Sequence, residues 1–336
     1  MDEKIPVLKK PILSALEGNV QKKQPIWLMR QAGRHLPEYR EIRAKAGDFL
    51  SLVTNPTQAA EVTLQPVRKY GMDGSILFSD ILVVPWAMGQ GLRFEAGEGP
   101  KLDPMPDVWE KQLDVLLPIY ETLRILSSKL ENTSVTQIGF VGAPWTVATY
   151  MIEQGKPSFQ KSRDFLVSDR SKTLFKQIIK VTIAYARAQV KAGAEVIKIF
   201  DSWAGQLLGS DLHKWSYEPM AEIGAALAPT PVIYFPRGGE NYLQDLTTLL
   251  SGNYAFALGQ NTSITQVREA IGPGVCLQGN LNPDVLINDE AKQEEAVKQL
   301  LSEVQGTPHI VNLGHGVRKD TNPKRVQALV DQIKAG

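Results

Sequence analysis

The 336-residue sequence predicts a single (β/α)8 barrel, with an active site at the C-terminal ends of its strands. Three observations carry that expectation. Eight short apolar, β-branched runs recur along the chain. Segments of helical pattern separate them, and each run ends in small or polar residues. A doubly wound open sheet stays as the alternative, because periodicity alone does not reveal closure.

The runs, in order, are PIWLM from Pro25, GSILFS from Gly74, QIGFVG from Gln137 and EVIKIF from Glu195. They continue with PVIYFP from Pro231, YAFALG from Tyr254, VCLQG from Val275 and HIVNLG from His309. Among the intervening segments, PTQAAEVTLQPVRKYG follows Asn55, a good N-cap, and SKTLFKQIIKVTIAYARAQVKAGA is long, amphipathic and closed by glycine. EAKQEEAVKQLLSEVQG and NPKRVQALVDQIKAG repeat the pattern near the C-terminus. With no low-complexity stretch, strong linker or sequence repeat, one domain over 1–336 is expected.

Composition narrows the function classes. Lys and Arg total 37 and Asp and Glu 36, for a net charge of +1. That balance argues against nucleic acid or an anionic membrane as main partner, since both call for a basic field. Cys276 is the one cysteine, so no intrachain disulfide forms and a thiolate zinc site of the usual kind lacks ligands. The first residues, MDEKIPVLKKPILSALEGN, lack the apolar core of a secretory leader, and no run has transmembrane length. A cytoplasmic protein is the expectation. GxGxxG, P-loop, GxSxG and HExxH motifs are all missing, so a cofactor-free reaction is the simplest reading.

The run ends carry the chemistry. After the first come Arg30 and Arg34, flanking Gln31, Ala32 and Gly33. An isolated RxxxR reads as a solvated helix face. Here a buried run precedes it and Pro37 opposes a helix starting at Arg30. The pattern instead points to a loop presenting two guanidiniums, bent at Gly33, and a guanidinium fork suits carboxylates. Arg43 is a weaker third arginine, equally at home on a helix surface. Asp80 ends the second run, Tyr150 lies in GAPWTVATY, Ser202 in IFDSWAG and His315 in NLGHGV. Each has an ordinary structural alternative: a turn aspartate, a core tyrosine, a capping serine, a satisfied histidine. Their recurrence at successive run ends outweighs any one of them.

Those blocks together carry a resemblance. WLMRQAGRHLPEYR, AAEVTLQPVRKYGMDGSILFSDIL, GLRFEAGEGP, GFVGAPWTVATYMIE, IKIFDSWAG, LQGNLNP and NLGHGV run in order from Trp27 to Val317. In these the chain resembles the uroporphyrinogen decarboxylase family. The resemblance implies a cofactor-free, metal-free (β/α)8 barrel that forms homodimers. It implies uroporphyrinogen III as substrate, a reduced tetrapyrrole with four acetates and four propionates. Its acetates would be decarboxylated to methyls, giving coproporphyrinogen III for haem or chlorophyll. The implied substrate-binding set is Arg30, Gln31, Ala32, Gly33, Arg34, Asp80, Tyr150, Ser202 and His315, with Asp80 the stabiliser of the cationic transition state.

Some positions depart from the family. His35 replaces a frequent Tyr, Trp86 falls at a variable place and Asn282 stands where Asp is common. Gly259, ending the sixth run, takes the place of an acid. Two rivals remain: a zinc- and corrinoid-dependent methyltransferase of a related barrel family, and a non-catalytic tetrapyrrole carrier. The rival methyltransferase needs ligands that Cys276 alone does not supply, and the carrier leaves Asp80 without a task.

Overall fold

The computed structural model describes residues 10–95, 99–106, 109, 111–287 and 289–336. The first nine residues of the N-terminal stretch and residues 96–98 of the GLRFEAGEGP block lie outside them.

Seven strands form one parallel sheet: β1 (Gly74–Ile76), β4 (Thr136–Gly142), β5 (Val196–Asp201), β6 (Val232–Pro236), β7 (Tyr254–Ala257), β8 (Cys276–Leu281) and β9 (His309–Leu313). They pair in that order. Between β1 and β4 the chain makes a short antiparallel ribbon, β2 (Leu92–Glu95) and β3 (Gly99–Leu102), which the sequence reading did not anticipate. Helices connect the parallel strands. Proline at the first turn and an Asn cap start Pro56–Tyr70 and Pro323–Ala335, as the sequence expects. Arg170–Lys191 and Glu290–Glu303 lie on the other two segments of helical pattern.

The sheet is a curled parallel array of seven strands. PIWLM, expected as the first strand, makes one bridge among the described residues, Ile26 to Val311. Side chains explain the shortfall. Gln31 Oε1 accepts from Leu28 N at 3.0 Å, and Asn312 Oδ1 accepts from Met29 N at 3.0 Å. Two backbone donors that a ladder would use are thereby taken, and Pro25 has none to give. The segment still bonds on both sides. Val311 N donates to Pro25 O at 2.8 Å, and Asp73 N donates to Ile26 O at 2.8 Å.

Two apolar clusters form the core. Trp27, Ile138, Val196, Ile233, Phe235, Ala255, Cys276 and Ile310 belong to the smaller. The larger sits between the strands and the helices. Strand alternation separates them: in β5, Val196 faces the first cluster while Ile197 and Ile199 face the second. Lys198 shares the parity of Val196, and it is fully buried. Its Nζ lies 5.0, 4.9 and 4.9 Å from the ring centres of Trp27, Phe200 and Phe235 and has no hydrogen-bond partner among the described residues. Burial without a carboxylate pushes this amine well below the usual lysine range.

Candidate active site

At the C-terminal ends of the strands lies a cavity of about 380 Å³. Ile76, Phe140, Phe200 and Phe235 give it an apolar wall, with the Phe140 and Phe200 rings edge to face at 5.7 Å. Its polar lining brings together Arg30, Asp80, Tyr150, Ser202 and His315 from five separate segments. Gln31 and Ala32 border it too. Gly33 and Arg34 face an adjoining cavity of about 650 Å³, which they share with Arg30, Ala32 and His315. All nine residues expected from sequence therefore surround two contiguous spaces.

The loop after PIWLM follows expectation in outline and differs in detail. Arg30 and Arg34 are exposed, and Pro37 opens the helix Pro37–Ala46. The left-handed backbone falls on Arg30 itself (φ 59°), with Gly33 outside that region. A non-glycine residue held there stores strain on the order of 1 kcal/mol. Gly33 leaves room instead: a Cβ there would stand 3.1 Å from Arg30 O, which would have to give by a few tenths of an ångström. Gly316 does the same for the Arg30 side chain, which lies across it. Gln31 is a brace, its buried amide spanning Leu28 N and Gly74 O at 3.0 and 2.9 Å, so each end of the amide already holds one backbone group. Ala32 borders both cavities. Arg43 caps its own helix through Gly47 O at 2.7 Å and borders neither cavity.

Asp80 accepts from Leu82 N at 2.8 Å through Oδ1. Its Oδ2 makes no hydrogen bond to the described residues. Burial raises the carboxyl to about 6, against the opposing pull of Leu82 N–H and the Arg30 charge. At neutral pH it is ionised. Burial, and then the Asp80 charge, raise the Tyr150 hydroxyl, keeping it a donor.

His315 is held down to about 4 by burial and by the charges of Arg30 and Arg237. Gly316 N donates to its Nδ1 at 2.7 Å, so the neutral ring carries its proton on Nε2. Ser202 presents its backbone oxygen to Arg237, which donates from Nε and Nη2 at 3.3 and 3.0 Å. Behind it Asp201, fully buried, accepts from Thr146 and Ser216 hydroxyls at 2.5 Å each. Thr146 lies one turn before Tyr150 in the helix Pro144–Glu153, so this carboxyl ties the Ser202 strand to the Tyr150 helix.

Sequence reasoning passed over Arg237. It follows β6 in PRGG, a string that reads as a turn, yet it lines the cavity. The signal available was its place at a strand end, the same position that singled out the others.

The profile of the family described as uroporphyrinogen decarboxylase (URO-D) matches residues 8–336. A uroporphyrinogen decarboxylase of Rhodobacter capsulatus is 43% identical over 97% of this chain and 99% of its own length. The chain belongs to the uroporphyrinogen decarboxylase family. Further decarboxylases so named, from Roseobacter denitrificans (43%) and Paracoccus denitrificans (42%), match over the same 97% of the chain. Among solved structures, a methyltransferase from Methanosarcina mazei superposes with a TM-score of 0.76 at 21% identity, covering 98% of both chains. That likeness extends the fold beyond the decarboxylase family and is silent on chemistry. Among the described residues no group of three or more His, Cys, Asp and Glu side chains is placed to hold a metal, and no helix is long and apolar enough to cross a membrane.

Proposed function

We propose that this chain removes the acetate carboxyls of uroporphyrinogen III in turn, giving coproporphyrinogen III for tetrapyrrole synthesis. The observation that carries the reading is the juxtaposition of an ionised Asp80 with guanidiniums around one apolar-walled cavity. Such a site suits a flat, polyanionic macrocycle whose centre holds N–H donors.

The chemistry asks for a cation. An acetate on a pyrrole has no electron sink, so loss of CO2 alone leaves an unstabilised carbanion. Protonating the adjacent ring carbon makes a cationic ring. The electrons of the breaking C–CO2 bond then flow into it, leaving an exocyclic methylene. A second proton adds to the methylene and the first is released, so each cycle consumes one proton and expels one CO2. Asp80 Oδ2, facing the pyrrole N–H groups, accepts their hydrogen bonds and opposes the ring's charge. At ~4 Å and an effective dielectric near 20, that attraction is about 4 kcal/mol. If it arose only in the transition state it would be worth roughly three decades in rate, and bound substrate already collects part of it.

Arg30 and Arg34 hold substrate carboxylates through charge-assisted bonds of roughly 1.5–3 kcal/mol each. Tyr150, the Ser202 hydroxyl and His315 Nε2–H orient the remaining side chains. Gln31, Ala32 and Gly33 shape the loop that carries the arginines. The reaction needs no cofactor. Cys276, the one thiol, is buried and pushed up to about 12, a poor ligand for the zinc of the methyltransferase alternative.

We further read the chain as one domain over 1–336, with the Ile26 segment as eighth stave closing the barrel. Its bonds to Val311 and Asp73 support that reading. A cytoplasmic homodimer completes the proposal. The test is anaerobic turnover of reduced uroporphyrinogen III with EDTA present, products being oxidised and separated by carboxylate number. Successive seven-, six-, five- and four-carboxylate species support the reading. Tight binding with no carboxylate lost overturns it in favour of a carrier.

A further inference from the structure

A second side cavity, about 390 Å³, opens between the ends of β6 and β7. It shares Ser202, Arg237 and His315 with the central cavity, while neither Arg30 nor Asp80 borders it.

Arg237 is half-buried, its guanidinium lying 5.6 Å from the Trp203 ring centre and tethered by Ser202 O. Among the described residues it forms no ion pair within 4 Å. The acid beside it, Glu240, is already committed: it accepts from Gly238 N at 2.6 Å and from Gly259 N at 2.9 Å, one bond to each oxygen. His315 adds an Nε2–H donor, since its Nδ1 is taken by Gly316 N. The space thus holds a fixed cation and a neutral N–H donor, and its one carboxylate has both oxygens engaged by backbone.

We propose that Arg237 and His315 form a carboxylate subsite that takes a substrate propionate, a chain that survives the reaction. The proposal rests on the decarboxylase reading above. Glu240 is its positioning residue. By clamping the ends of β6 and β7 it fixes the backbone from which Arg237 projects, and its charge favours the protonated guanidinium against the burial that lowers it. A propionate fits because the subsite lies apart from Asp80, so the chain bound there is not the one that reacts. Such binding is common to ground state and transition state, and it appears in KM.

The test compares Arg237→Gln and Arg237→Lys with the wild type by steady-state kinetics, on the eight-carboxylate substrate and on the five-carboxylate intermediate. Arg237→Gln raises KM roughly tenfold or more on both, with kcat within about threefold, and Arg237→Lys recovers part of the loss. Thermal melts of each variant separate this from a folding defect. If Arg237→Gln does not fold, Arg237→Lys decides by the same KM comparison. KM within about twofold of wild type overturns the subsite, and a rise confined to the eight-carboxylate substrate overturns its assignment to a propionate. Wild-type protein that turns nothing over removes the underlying reading, whereas normal wild-type turnover with an indifferent Arg237→Gln removes the subsite alone.

Discussion

Glu240 Oε1 lies 2.9 Å from the backbone nitrogen of Gly259, and a Cβ on that glycine would stand 2.9 Å from the same oxygen. The carboxylate therefore fills the space that a side chain at 259 would enter. The resemblance placed an acid at 259 in related chains; here residue 240 delivers a carboxylate there. Burial raises this carboxyl, and the N–H groups of Gly238 and Gly259 work against that rise.

Gly259→Asp brings a second carboxylate into contact with Glu240 and lowers stability by about 1–3 kcal/mol, by overpacking and like-charge repulsion. Glu240→Ala strands two backbone donors and costs a similar amount. The double variant, Glu240→Ala with Gly259→Asp, recovers at least half of the loss of either. Urea denaturation checks this, and additive losses would show that the two positions do not share one space.

Asp80→Asn separates stability from chemistry. The folded-state carboxyl titrates near 6 against an ordinary 3.8. Because that value is raised, the group favours the fold when protonated, and its contribution is lost as pH rises through 6. The amide of the variant cannot ionise, so the variant is more stable than wild type above pH 6, by up to roughly 3 kcal/mol at 1.36 kcal/mol per pH unit. The difference closes below pH 4. In the wild type kcat/KM falls as pH drops through about 6, and the variant's profile lacks that limb.

Lys198→Met stabilises the protein at neutral pH by about 1–3 kcal/mol, through removal of an unpartnered buried amine. The sign follows from a folded-state value below 10.5. Between the two values the unfolded chain binds the proton, so wild-type stability climbs as pH rises toward 10.5. The Met variant loses that part of the slope. Parallel slopes from chemical denaturation at pH 7 and 9 would show that Lys198 keeps its charge in the fold.

Gly316→Ala displaces Arg30, since the new Cβ would sit 2.7 Å from Arg30 Cγ. We expect KM to rise about five- to tenfold with kcat little changed, because only the grip on a carboxylate is disturbed. A lowered kcat at unchanged KM would move Arg30 from binding to chemistry.

The run ends supplied the candidate residues that line the two cavities. A strand period of two and an abrupt change to Arg, Asp, Ser or His are local signals, and seven of the eight runs form strands of the sheet. What stayed hidden depends on contacts distant in sequence. Glu240 meets Gly259 only when β6 and β7 lie side by side, and Arg237 reads as a turn residue until Ser202 O is seen to hold it. Lys198 in EVIKIF shares its face with Val196 and Phe200, and in this curled sheet both faces are covered, so the amine lies among rings that no local pattern places around it. PIWLM has strand composition, yet Gln31 and Asn312 take its donors from positions no local pattern ties to it.

The most direct test of the central claim, that an ionised Asp80 stabilises a cationic macrocycle, is single-turnover decarboxylation by Asp80→Asn beside the wild type under anaerobic conditions. The expected result is that the variant binds substrate and loses the first carboxylate about 10²- to 10³-fold more slowly. A first-step rate within a fewfold of wild type would contradict it.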